Sequence, residues 1–95
     1  MARILVIEDD DTIGAALDSA LSASGYQVTW QRTGGSGLIE ARDIGADLVL
    51  LDLGLPDRDG IDVCRELRSC LPAAVIVILT AVSYTHLTLP TKRIV

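Results

Sequence analysis

Four carboxylates in this sequence stand where short apolar runs end. Glu8, Asp9 and Asp10 close "RILVIEDD", and Asp52 closes the apolar core of "DLVLLDL". Thr80 follows "AAVIVIL" in the same way. Carboxylates gathered within a few ångströms repel one another and take up protons unless a cation offsets their charge. A hard divalent ion suits such a set, magnesium foremost, because it accepts one or two carboxylates and keeps waters that phosphate oxygens can replace. A carboxylate beside such an ion can attack phosphorus and form an acyl phosphate. Asp52 is the candidate nucleophile, since a wholly apolar strand before it would aim it rigidly. A hydroxyl on Thr80, facing the same crevice, would meet a phosphoryl oxygen.

The pattern around these residues predicts elements that could hold them. Residues 3–8 read as a buried parallel strand, being apolar without alternation. Ile13, Ala16, Leu17, Ala20 and Leu21 then recur at helical spacing, with Asp10 or Asp11 as N-cap and Gly25 placed to end the helix. "YQVTW" alternates like a half-exposed strand, and a weaker helix is expected around residues 37–42. Residues 47–53 form the next apolar run, "GLPDRDG" reads as a loop, and Ile61, Cys64, Leu67 and Leu71 share one helical side. Residues 73–79 make a fourth strand with Thr80 at its end. The order is βαβαβαβ, which predicts an α/β fold: a doubly wound parallel sheet with helices on both faces. Ligands of such sheets sit beyond the carboxyl ends of the strands where strand order reverses. In a flavodoxin-like order, with strands one and three adjacent, Glu8, Asp9, Asp10, Asp52 and Thr80 converge there.

"ILVIEDD", "LVLLDLGLPDRDG" and "VIVILTA", in this order and spacing, resemble the receiver domain of two-component response regulators. The resemblance covers residues 2–81. It implies that Asp52 is the phosphoacceptor, receiving a phosphoryl group from a phosphohistidine of a sensor histidine kinase. It further implies a magnesium site made of Asp9, Asp52, Glu8 acting through water, and the backbone carbonyl of Gly54. Thr80 matches the switch hydroxyl, and Leu55, Pro56 and Gly60 match the turn after the acceptor. "VIEDDDT" and "LLDLGLPDRDGIDVCRELR" look most like the transcriptional regulators that carry a winged-helix output domain. DNA binding and a receiver dimer are thus expectations for a fuller parent protein.

Other classes fit less well. A strand-end aspartate with magnesium also serves phosphatase-type hydrolases, but these want a second acid two residues on, where Gly54 stands. A module that kept the fold without the chemistry is the other alternative. Asp57, Asp59, Gly60 and Glu66 mimic part of a calcium loop, yet Leu55 would occupy its first ligand position. Cys64 and Cys70 lack zinc or redox spacing, and Trp30 and Tyr26 read as packing residues. A net charge of −5 gives no footprint for nucleic acid or anionic lipid. The apolar runs are too short to span a bilayer, and a cytoplasmic location is expected.

The end of the chain reads differently. All 13 acidic residues precede position 82, whereas residues 82–95 carry Lys92, Arg93 and no acid. "VSYTHLTLPTKRIV" resembles a translated sequencing adapter. The expectation is a partial receiver domain at 1–81, missing its last strand and two helices, with a non-native tail at 82–95 and no output domain. Lys92 follows Thr80 too closely to match the family's phosphate-contacting lysine, which ends a fifth strand.

Overall fold

β1 (Arg3–Ile7), β2 (Gln27–Gln31), β3 (Leu48–Asp52) and β4 (Val75–Val82) alternate with α1 (Asp11–Ala23), α2 (Gly34–Ile44) and α3 (Gly60–Cys70). This computed structural model describes residues 2–82 and 91–94, with side chains described as far as Leu79. The four strands are parallel in the order β2-β1-β3-β4, so β1 and β3 are hydrogen-bonded neighbours. The doubly wound α/β reading holds. Chain order reverses at β1 and β3, which opens the crevice at their carboxyl ends.

Burial explains the continuous apolar run of β1, whose residues from Ile4 to Ile7 are all buried. Leu5, Ile7, Val49 and Leu51 point to one face, where they pack with Leu38 and Ala41 of α2 and Val63 and Leu67 of α3. Ile4 and Val6 serve the opposite face, which α1 covers over β1 and β2. Helix boundaries follow their caps. Asp10 accepts from the Ile13 N–H at 3.0 Å to start α1, and Gly25, at φ 94°, turns the chain after its end. Thr33 caps α2, which therefore begins three residues before the periodicity predicts.

One element lies beyond the sequence reading. β5 (Thr91–Ile94) pairs antiparallel with the last residues of β4, from Leu79↔Ile94 to Val82↔Thr91. It runs opposite to the other four strands and so is not the parallel fifth strand that the resemblance calls for. Its pairing extends β4 to Val82, and Thr80 lies within the strand rather than at its end. The physical reason is the open ladder of N–H and C=O groups on the outer side of β4, a template for any segment that can extend beside it. Among the described residues that outer ladder remains open only over residues 75–78.

Candidate functional site

The end of β1 delivers Glu8 and Asp9, and the last residue of β3 is Asp52. Carboxylate oxygens of these three residues lie within 4.8 Å of one another. The register accounts for this: Ile7 pairs with Leu51, so both strands leave the sheet at the same level. Glu8 is 1% exposed and Asp52 7%, while Asp9 faces solvent. Such crowding of like charge is costly in a half-buried place, and a cation offsets it. The donors are all oxygen, which fits a hard divalent ion such as magnesium.

Backbone groups hold these side chains. The Asp10 N–H donates to Glu8 Oε2 at 3.4 Å, and the Gly54 N–H donates to Asp52 Oδ1 at 3.2 Å. The Glu8 main chain is held on both sides: its N–H donates to the Gln31 carbonyl at 3.0 Å, and its carbonyl accepts the Trp30 indole N–H at 2.9 Å. Trp30 is thus more than a packing residue. It ties the end of β2 to the start of the acidic pair, with the Arg32 guanidinium over its ring at 4.2 Å.

Of the expected site residues, Glu8, Asp9 and Asp52 come together, and Gly54 lies against Asp52. Asp10 leaves the group to cap α1. Thr80 lies one residue beyond Leu79, the partner of Asp52, and its side chain falls outside the described residues. The side chain of Lys92 lies outside them as well, although its backbone pairs with Ala81.

The calcium-like stretch has other occupations. Asp59 caps α3 through the Ile61 N–H at 2.9 Å, and Glu66 pairs with Arg58 at 2.8 Å. Asp57 accepts the N–H of Gly34 at 2.8 Å and of Gly35 at 2.9 Å. Those two backbone bonds, Gly35 foremost, hold its carboxyl below the ordinary value of 3.8, with a further contribution from the Arg58 charge. Sequence reasoning did not find this role, because the partners lie 23 and 22 positions away and are backbone groups without a motif.

Comparison with known proteins gives a consistent result. The sequence profile of the response regulator receiver domain matches residues 4–90. The transcriptional regulatory protein KdpE of Mycobacterium tuberculosis is 47% identical over 78 residues, covering 82% of this chain and 34% of the relative. The chain therefore spans about a third of the length of that curated relative. A CheY-like receiver domain protein from Methanospirillum hungatei superposes with a TM-score of 0.84 at 27% identity, covering 90% of this chain and 68% of the other. The response regulator TrrA, solved in complex with the histidine kinase ThkA, is similar too, with a TM-score of 0.79 at 33% identity, covering 93% of this chain and 76% of the matched one. Sequence and fold agree, and the chain belongs to the response regulator receiver domain family.

Proposed function

We propose that this chain is the phosphoacceptor module of a two-component response regulator, with Asp52 accepting a phosphoryl group from a phosphohistidine of a sensor histidine kinase. The observation that carries the reading is the placement of Asp52: nearly buried, fixed at the end of β3, with oxygens of Glu8 and Asp9 within 4.8 Å. Asp9, Asp52, the Gly54 carbonyl and, through water, Glu8 would hold magnesium. When bound, the ion offsets the charge of the carboxylates and of the incoming phosphoryl oxygens. A carboxylate oxygen of Asp52 forms the new O–P bond as the P–N bond of the donor breaks, and the released imidazole takes up a proton. The product is an acyl phosphate, not a turned-over substrate. Thr80 would offer its hydroxyl to a phosphoryl oxygen.

A kinase partner is supported by the solved TrrA–ThkA complex, and a role in transcription by the KdpE relative. Both belong to a parent protein acting in the cytoplasm, where DNA contact and receiver dimerisation would need parts beyond this module. No helix among the described residues is long and apolar enough to cross a membrane. Residues 82–95 we read as foreign to the domain, on the charge shift and the adapter-like sequence. An uninterrupted genomic reading frame encoding the same tail would refute that assignment.

The test of the phosphoacceptor role is labelling by acetyl phosphate, with and without magnesium, using Asp52→Asn as control. Stable stoichiometric labelling that needs magnesium and is lost in Asp52→Asn is expected. Continuous turnover would favour a hydrolase, and no labelling an inert binding module.

A further inference from the structure

The loop between Asp52 and α3 is held at several points. Leu55 is 9% exposed and joins the core, and Asp59 caps α3. Asp57, between them, reaches across to another element. Its two oxygens each take one backbone N–H from the first turn of α2, Gly34 on Oδ1 and Gly35 on Oδ2. Thr33 Oγ1 takes the next one, Ser36, at 3.2 Å. The donors that a helix start leaves without intrahelical partners are thus shared between the helix's own cap and a residue of the acceptor loop. The approach is close: a Cβ on Gly34 would meet Val63 Cγ2 at 2.9 Å and Arg58 Cβ at 3.3 Å.

We propose that Asp57 is a positioning residue for the acceptor site, clamping the loop onto α2 so that Gly54 and the Asp52 carboxylate keep their geometry. Only Leu55 and Pro56 separate Gly54 from Asp57. Leu55 is fixed in the core and Pro56 has a locked φ, so a displacement at Asp57 reaches Gly54 through a short, stiff path. Gly54 in turn donates to Asp52 Oδ1. The start of α2 is thereby coupled to the metal-binding geometry, although no residue of α2 belongs to the carboxylate cluster. The proposal rests on the phosphoacceptor reading for its purpose, but the clamp can be tested apart from it.

The experiment compares Asp57→Ala, Asp57→Asn and Thr33→Ala in the full 95-residue chain. Thr33→Ala removes a cap from the same helix without touching the loop. Two readouts are taken: the amide resonance of Gly54 without metal, and magnesium affinity from the fluorescence of Trp30, whose indole is bonded to Glu8. Asp57→Ala is expected to move the Gly54 resonance and to weaken magnesium binding about three- to tenfold, at or below the usual cost of removing a partner behind a metal ligand. Asp57→Asn, which keeps one acceptor oxygen, should recover part of both. Thr33→Ala should lower stability and leave both readouts unchanged. Equal behaviour of Asp57→Ala and Thr33→Ala in the Gly54 resonance would reduce Asp57 to a helix cap and overturn the proposal. Absence of magnesium binding in the unaltered chain would instead refute the phosphoacceptor reading, while the Gly54 comparison would still decide on the clamp.

Discussion

Carboxylates of the same type do three different jobs within a few residues of one another. Asp10 and Asp59 cap helices, Asp57 bridges a loop to a helix, and Asp9 and Asp52 meet Glu8 in the crevice. What separates them is the partner each finds, and that partner also sets how each responds to acid. Asp57 accepts two backbone N–H groups that favour its charged form, and the Arg58 guanidinium, itself paired with Glu66, adds to this. Its folded-state value is therefore depressed, and the sign follows. The stabilising contribution is complete above the ordinary value of 3.8 and is lost as pH falls through the lowered folded value. An NMR titration of the Asp57 carboxyl carbon, followed with the Gly34 and Gly35 amides, should give a common midpoint below 3.8. A midpoint at or above it would mean that the two bonds do not persist in solution. The carboxyl is exposed, so the effect on global stability is small and the local resonances are the proper readout.

Elements meet most tightly where α1 crosses β2, and a glycine there decides the fit. A Cβ added to Gly14 would collide with the indole of Trp30, which cannot swing aside without giving up its bond to the Glu8 carbonyl. Two effects oppose each other in Gly14→Ala. Alanine favours the helix by about 1 kcal/mol, whereas overpacking costs about 1–3 kcal/mol. The tied ring makes the second the larger, so the substitution should destabilise the chain by about 1 kcal/mol in denaturant unfolding, and should shift Trp30 emission. A stabilised variant with unchanged emission would show that the ring moves freely. The strands and the crevice they build were readable in the sequence because they depend on local pattern: apolar runs that end on acids have one sensible place in a parallel sheet. The start of α2 was not, since it depends on Thr33 and on Asp57 from the far loop, against a glycine-rich stretch with little helical periodicity. Trp30 likewise looked like strand filler, because nothing local reveals that its N–H meets the Glu8 carbonyl just past the end of the neighbouring strand. The extension of β4 depends on β5, whose pairing no periodicity announces.

The described residues cover the two faces of the sheet unequally, and this bears on how the whole chain behaves in solution. Among the described residues α2 and α3 together shield β1 to β4 on one side, but on the other α1 reaches only β1 and β2. Leu48 and Leu50 of β3 pair in register with Val75 and Val77 of β4 on that thinner side, and Val75 is 56% exposed. A cavity of about 440 Å³ lies beside them, lined by Ile4, Leu21, Tyr26, Leu48 and Leu50. Among the described residues β5 protects the β4 edge over residues 79–82, and the backbone of residues 75–78 is open next to this apolar strip. Contiguous apolar surface at an open strand edge favours pairing with another copy. The 95-residue chain should therefore self-associate as its concentration rises, with a broad or scattering-dominated thermal transition. Val75→Lys places a charge at the open edge, the device by which strand edges are kept from pairing, and should delay association to higher concentration. Sedimentation and light scattering of both forms across a concentration series give the comparison. A monomeric unaltered chain with one cooperative unfolding transition would show that α1 and β5 suffice to close the sheet.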